Sequence, residues 1–128
     1  MGDLSDNFSR DEFACSCGCG RGTNPGDVSP VLVERLEHIR AASGRPLFIT
    51  SGCRCPEYNE QVGGVENSVH TLLPLEGVDA RVYPGQHEHA MHKSAYAEGA
   101  TGVGTADTFI HMDWHDGSVK ARPAVWHY

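Results

Sequence analysis

The five cysteines of the chain fall in two short clusters, and this distribution constrains the fold more than any other feature of the sequence. Cys15, Cys17 and Cys19 are spaced as CxCxC, and Cys53 and Cys55 as CxC. Such clustering favours disulfide pairing or metal binding over five separately buried thiols. We interpret the clusters as one or two disulfides that join the first cluster to the second, with one thiol left over. Reduced thiols are an alternative, and a zinc ribbon is a poorer match because its knuckles usually read CxxC.

The length and composition of the chain predict one globular domain. With 128 residues, 39% of them hydrophobic, the chain can bury one core, and we expect a single domain over 1–128 with a Cys-rich irregular region at 1–28. The formal charge of -7 offers no basic surplus for nucleic acid. Apolar runs are too short to span a bilayer, and the first residues lack a secretory pattern. We therefore expect no nucleic-acid partner, no membrane segment and no signal peptide.

Hydrophobic periodicity predicts an α+β fold in which a small, largely antiparallel sheet packs with two main helices. The first helix is predicted at 30–43, with Ser29 as its cap, Pro30 at its first position and Gly44 at its end. Further elements are a mostly buried strand in 45–52, a helical turn in 56–64, a strand in 77–83, a second helix in 86–99 and strands in 101–104 and 108–115. "HDGS" is interpreted as a hairpin turn that leads to the aromatic C-terminus.

Most of the eight histidines are expected to be unrelated to any site. His87, His89 and His92 lie on the second predicted helix, where a solvated face explains them. His111 differs because strand alternation in "TFIHMDWH" places it on the same face as Asp113, opposite an apolar face. An imidazole with a neighbouring carboxylate suits a metal site, although His and Asp are also common on exposed strands.

A second stretch, "SVHTLLPLEGVD", contributes His70 and Asp79. It can be an ordinary buried strand and turn with two incidental polar residues. Together with His111, however, it supplies two imidazoles and one carboxylate, the ligand types and number of a catalytic zinc site that keeps one open position. Asp79 lies on the polar side of its predicted strand, beside the alternating Val78 and Ala80.

The sequence resembles the D-alanyl-D-alanine carboxypeptidase-like zinc peptidases, specifically the small single-domain members found in phages and bacteria. The resemblance covers nearly the whole chain and rests on "LSDNFSRDEFACSCGCG", "VSPVLVERLEHIRAASGRPLFITSGCRCPEYNEQVGG", "NSVH", "GVG" and "FIHMDWHDG". It implies a core shared with the Hedgehog signalling domain, one zinc ion, and hydrolysis of peptide stems or cross-bridges of peptidoglycan.

The resemblance also implies roles for individual residues. His70, Asp79 and His111 match the zinc ligands, Arg54 matches the arginine that faces the substrate carboxylate or scissile carbonyl, and Ser68 begins the histidine motif on the substrate side. The spacing departs from the family pattern, because Asp79 stands two residues further from His70. A loop insertion that preserves the site and an insertion that breaks it are both compatible with the sequence.

The general base implied by the resemblance has two candidates, Asp113 and Asp107, of which Asp113 is preferred as a carboxylate next to the last ligand. His115 is a further imidazole that could stabilise an oxyanion. Glu76 is a less suitable replacement ligand than Asp79, because it precedes Gly77 on the loop side.

These patterns favour a zinc metallopeptidase that cleaves peptidoglycan peptides by carboxypeptidase or endopeptidase action. The alternative is a non-catalytic module that keeps the fold and binds cell wall or a protein, and a third possibility is a domain whose only important chemistry is cysteine-based. We expect a peptidoglycan peptide as the partner and a monomeric protein. We also expect either a phage-encoded protein, as a lysis protein or a virion component, or a protein released to the periplasm or cell wall by another route.

Overall fold

The computed structural model of the chain describes residues 2–128 as a five-stranded sheet with two long helices packed on one face. The helices are α1 (Pro30–Ser43), α2 (Pro56–Gln61) and α3 (Gln86–Ala97), and the strands are β1 (Ile49–Ser51), β2 (Gly77–Arg81), β3 (Gly102–Thr105), β4 (Phe109–Asp113) and β5 (Ala124–His127). The strand order is β1-β2-β4-β3-β5, and within these residues every neighbouring pair is antiparallel except β3 and β5. The predicted α+β class and the largely antiparallel sheet are confirmed.

Helix α1 forms where the sequence predicts it. The Ser29 hydroxyl accepts a hydrogen bond from the Leu32 N–H at 3.4 Å, and Pro30 occupies the first helical position, where its missing N–H costs nothing. Gly44 ends the helix with φ 73°, a left-handed conformation that glycine adopts without a steric penalty. The apolar stripe of the helix is buried and consists of Leu32, Val33, Leu36 and Ile39.

The two faces of the sheet carry different chemistry. On one face Val78 and Ala80 of β2 and Ile110 and Met112 of β4 are fully buried, and they form one core with side chains of α1 and α3. Because strand residues alternate between faces, the intervening residues of β2 and β4 point to the opposite side. The helices thus cover one face, while the opposite face carries Asp79 of β2 and His111 and Asp113 of β4, together with Phe109.

The predicted buried strand at 45–52 is shorter and more exposed than expected. Only Ile49–Ser51 forms β1, which lies at the edge of the sheet, and Phe48 is 62% exposed. The Arg81 guanidinium covers the Phe48 ring at 5.5 Å. The prediction was wrong because an edge strand pairs on one side only, which an apolar composition does not reveal.

The hairpin expected at "HDGS" is also not formed. The chain crosses over and β5 lies parallel to β3, with Val103 opposite Val125. β4 already has β2 on one side and β3 on the other, so no edge of β4 is free for a hairpin partner. No helix among residues 2–128 is long and apolar enough to cross a bilayer.

The disulfides expected between the cysteine clusters are not formed, and all five thiols are free. The Sγ atoms of Cys15 and Cys17 are 3.4 Å apart and those of Cys17 and Cys55 are 3.6 Å apart, well beyond the disulfide bond length of about 2.05 Å. Cys53 is buried in the core, away from this group, and its N–H donates to the Phe13 carbonyl at 2.7 Å. The N-terminal region is therefore held by other contacts than those predicted.

Candidate metal centre

Asp79 and His111 meet because β2 and β4 pair with these two residues directly opposite each other. The distance from Asp79 Oδ1 to His111 Nδ1 is 2.9 Å. The ring of His70 reaches the same point, with its Nε2 3.2 Å from Asp79 Oδ1 and 3.2 Å from His111 Nδ1. All three side chains are buried. The structure therefore brings together the three side chains for which the sequence indicates a metal site.

His70 is positioned by its own short helix. It lies in a 3₁₀ helix at Val69–Thr71, which begins at Ser68, and the Ser68 hydroxyl accepts a hydrogen bond from the His70 N–H at 3.3 Å. The longer spacing to Asp79 is taken up by the loop at 72–76 before β2 begins. Of the two alternatives left by the sequence, the loop insertion that keeps the residues together is the one observed.

The hydrogen bonds of His70 indicate that a cation belongs between these groups. Its Nδ1 lies 2.7 Å from the carbonyl oxygen of Gly52, which can only accept, so Nδ1 carries the hydrogen. In the neutral ring Nε2 then presents a lone pair to a carboxylate oxygen, and two acceptors at 3.2 Å repel unless a cation separates them. Donors of a tetrahedral zinc site are about 3.4 Å apart. The set of two nitrogens and one oxygen therefore fits zinc.

The electrostatics of the centre keep the Asp79 carboxylate ionised. Burial raises the pKa of the Asp79 carboxyl, but the neighbouring imidazoles of His111 and His70 outweigh it and hold the pKa well below its usual range. Burial lowers the pKa of His111, but the carboxylates of Asp113 and Asp79 outweigh it and raise the pKa. Asp79 is thus ionised at neutral pH, as a metal ligand must be.

Arg54 lies against the ligand carboxylate. Its Nη2 donates to Asp79 Oδ2 at 3.3 Å, while Nε donates to the Ser51 hydroxyl at 3.0 Å and Nη1 to the Asn59 side-chain oxygen at 3.1 Å. The backbone N–H of Arg54 donates to the His70 carbonyl at 2.8 Å. These contacts fix the guanidinium beside the centre, where the resemblance to the zinc peptidases implies a substrate-binding group.

Asp113 contacts the nitrogen of His111 that points away from Asp79. Its Oδ2 is 2.6 Å from His111 Nε2, and Arg122 donates to both carboxylate oxygens at 2.9 and 2.8 Å. Gly77 and Gly102 stand opposite it on the two neighbouring strands, and a Cβ at Gly102 would meet the carboxylate oxygens and lie 2.6 Å from Arg122 Nε. Asp113 is fully buried and fully engaged, so it orients His111 and is not placed to take a proton from water.

The other candidate acids and the extra imidazole lie outside the centre. Asp107 is exposed in the turn between β3 and β4. His115 is buried, but its Nε2 accepts hydrogen bonds from the N–H groups of Val119 and Lys120 at 3.1 and 3.2 Å, so it holds a loop. Glu76 is half exposed and lies near His115, 3.8 Å from its Nδ1. None of the three belongs to the group of side chains that converges at the centre.

The histidines of α3 take no part in the centre. His89 is exposed, as expected for a solvated face, whereas His87 is buried and its Nδ1 accepts a hydrogen bond from the Tyr83 N–H at 3.0 Å. The prediction of a solvated face was therefore wrong for His87, which turns toward the loop preceding its own helix.

The centre opens into a cavity of about 630 Å³. Its walls include cationic and aromatic side chains that the sequence analysis did not assign, namely Lys120, Arg122, Phe109, Trp126 and Tyr128. The Trp126 ring lies 5.1 Å from the His111 ring, and the Tyr128 ring lies 5.0 Å from that of Phe109. The alternating aromatics of "AVWHY" were a signal for a strand with one aromatic face, but its neighbour in the sheet was not evident from the sequence.

The chain matches the model of a known protein family. A family model described as Peptidase M15 matches residues 6–113, which include all three residues of the candidate centre and Arg54. The match ends before Arg122, Trp126 and Tyr128. Among the curated proteins compared with the chain, none matches it significantly.

Proposed function

Because the chain belongs to the peptidase M15 family, whose members are zinc peptidases, we propose that it is a zinc metallopeptidase that cleaves peptidoglycan peptides. The observation that carries the proposal is the convergence of His70, Asp79 and His111 in one wall of a cavity of about 630 Å³. A catalytic zinc site needs three protein ligands and an open side, and this set supplies both.

The chain's own residues would hold and orient the metal. Zinc would be held by His70 Nε2, Asp79 Oδ1 and His111 Nδ1, and when bound it supplies Lewis acidity toward a scissile carbonyl and toward water. The Gly52 carbonyl fixes the ring of His70, and Asp113 fixes that of His111, so each imidazole presents one defined nitrogen.

The charges of the cavity support a substrate that ends in a carboxylate. Arg54, Lys120 and Arg122 line it together with Asp79. Of the five N–H donors of a guanidinium, Arg54 uses three on neighbouring side chains, which leaves two for a substrate oxygen. A stem peptide that ends in D-alanine presents such a carboxylate. We therefore favour carboxypeptidase action over endopeptidase action within the proposal.

One observation favours a second candidate function, a non-catalytic module that binds cell wall or protein. Asp79 is the only carboxylate among residues 2–128 that lines the cavity, and the metal would occupy it. A metallopeptidase needs a group that accepts a proton from water. The cavity offers no spare carboxylate for this task.

Zinc content and hydrolysis, measured on the same samples, test the proposal. We expect the purified protein to bind zinc at this centre and to release D-alanine from an acylated D-Ala-D-Ala peptide or from sacculi. His111→Ala should abolish release and remove the zinc held there. His89→Ala, an exposed histidine of α3, is the matched control and should change neither.

The possible outcomes separate the two candidates. Zinc bound through His70 and His111 without cleavage of peptide or sacculi would support the binding module. Cleavage that persists at the wild-type rate in His111→Ala would exclude the proposed centre.

A further inference from the structure

Four of the five cysteines converge at a second place in the molecule, in a group that we call the cysteine cluster: Cys15, Cys17, Cys19 and Cys55. Each offers its Sγ, and these four atoms lie within 4.8 Å of one another. Three separations are 3.4 Å for Cys15 and Cys17, 3.6 Å for Cys17 and Cys55, and 3.9 Å for Cys15 and Cys55. The peptidase centre uses none of these sulfurs.

The separations match those of a metal site rather than those of disulfides. Four sulfurs placed tetrahedrally about 2.3 Å from zinc are about 3.8 Å from one another. The observed distances of 3.4, 3.6 and 3.9 Å bracket this value. Two disulfides would instead give two short distances of about 2.05 Å.

The local backbone is folded to bring the sulfurs together. In an extended chain, side chains two residues apart are roughly 6.6 Å apart. The segment instead turns at Gly18, whose φ is 81° and whose N–H donates to the Cys15 carbonyl at 3.1 Å. Gly20 follows with φ 92°. Glycine accepts these left-handed conformations without strain, so the CxCGCG spacing suits a tight loop around a small ion.

Backbone N–H groups point at the sulfurs. The N–H of Cys55 lies 3.4 Å from Cys15 Sγ, and the N–H of Tyr58 lies 3.4 Å from Cys55 Sγ, at the first turn of α2. Such donors offset the excess negative charge that four thiolates leave on a divalent cation. The cluster thus has both the ligands and the outer partners of a structural metal site.

We propose that the cysteine cluster binds a second zinc ion, in a closed four-thiolate site that is structural rather than catalytic. Four protein ligands leave no open position for a substrate, which distinguishes this site from the peptidase centre. The ion would join the N-terminal loop to Cys55, the residue after Arg54. It would thereby fix the turn that carries Arg54 against Asp79.

Metal analysis of the full-length protein, purified without chelator, tests this proposal. We expect about two zinc ions per chain in the wild type and about one in Cys17→Ser and in Cys19→Ser, because a three-cysteine remnant binds zinc more weakly. Cys53→Ala is the matched control and should keep both ions, since Cys53 lies outside the cluster. His111→Ala should keep the ion of the cluster, so the two sites fail independently.

Cobalt substitution of the wild type gives a second readout that does not depend on a variant folding. Cobalt bound by thiolates shows intense sulfur-to-metal charge-transfer absorption, which histidine and carboxylate ligands do not produce. We expect this absorption in the wild type and in His111→Ala. A single zinc ion that disappears in His111→Ala, a cobalt spectrum without charge transfer, or disulfides among these four cysteines in the purified protein would each overturn the proposal.

Discussion

At the scale of single residues, the function of Asp113 depends on what surrounds it. Its oxygens are shared between His111 and Arg122, and burial is complete. Burial raises its pKa, but the hydrogen bonds from His111 and Arg122 outweigh it and hold the pKa well below the usual range. A permanently charged carboxylate at one ring nitrogen of a histidine makes the other ring nitrogen a stronger metal ligand.

We therefore predict that Asp113→Asn weakens zinc binding at the peptidase centre. The amide preserves the shape but removes the charge that orients His111, and loss of such an outer partner costs about 10–100-fold in metal affinity. Competition with a zinc-binding dye would measure it. Asp107→Asn, an exposed acid in the turn after β3, should leave the affinity unchanged. Equal affinities in all three proteins would exclude the positioning role.

Some residues of the site can be predicted from the sequence, whereas others cannot, for a physical reason. Asp79 and His111 could be predicted as site residues because strand alternation separates the residues of one face from those of the other. The same rule places Asp113 beside His111 but does not say that Arg122 occupies both of its oxygens. Such a partner is set by a long-range crossover, which no local pattern encodes.

At the scale of elements, the N-terminal segment is held to α1 by one carboxylate, Glu37. Its oxygens accept hydrogen bonds from the Ser5 hydroxyl at 2.6 Å, the Asn7 N–H at 2.9 Å and the Asn7 side-chain amide at 2.7 Å. Burial raises the pKa of Glu37, but these hydrogen bonds outweigh it and lower the pKa. The contact thus depends on the charge of a single side chain.

This contact predicts a pH dependence of stability. Because the pKa of Glu37 is lower in the folded state, its contribution is complete above the ordinary value of about 4.3 and is lost as the pH falls through the folded value. Glu37→Gln should lower Tm at pH 7 by about 2–5 °C. Since wild-type Glu37 also becomes uncharged in acid, the difference should shrink toward zero below pH 4. Glu34→Gln, exposed on the same helix, should show no such trend.

The elements also show why part of the fold was predictable. Helix α1 is specified locally by Ser29, Pro30 and Gly44, and its ends agree with the prediction. The partners of β1 and β5 depend on which sheet edges are already occupied, a property of the whole chain. The position of β1 at an exposed edge and the parallel pairing of β5 with β3 therefore could not be predicted from local sequence patterns.

At the scale of the whole molecule, the charge of the cavity is opposite to that of the protein. The chain carries a formal charge of -7, yet Arg54, Lys120 and Arg122 line the cavity. Lys120 donates from Nζ to the Glu66 carbonyl at 2.7 Å, and its ammonium keeps two further donors. The cavity therefore attracts an anionic group, although the negative net charge of the protein repels it elsewhere.

We predict that Lys120→Met lowers kcat/KM for a peptide with a free C-terminal carboxylate. A charge-assisted hydrogen bond contributes about 1.5–3 kcal/mol, and at a partly exposed site we expect the lower end, about a 10-fold loss. Methionine keeps most of the apolar stem. The matched substrate is the same peptide with a C-terminal amide, for which wild type and variant should differ little. An equal loss on both peptides would contradict a carboxylate-binding role.

The direct pairing of Asp79 with His111 has a consequence for how the molecule reaches its native state. A slip of one residue between β2 and β4 would place Asp79 opposite Ile110 or Met112 instead of His111. One of the two strands would then present its other face, so either the Asp79 carboxylate or the His111 ring would point toward the core. Only one register creates the ligand set. Metal binding would therefore stabilise the sheet with the native register relative to sheets with a shifted register. The ion that serves the chemistry would thus also favour the native strand alignment during folding.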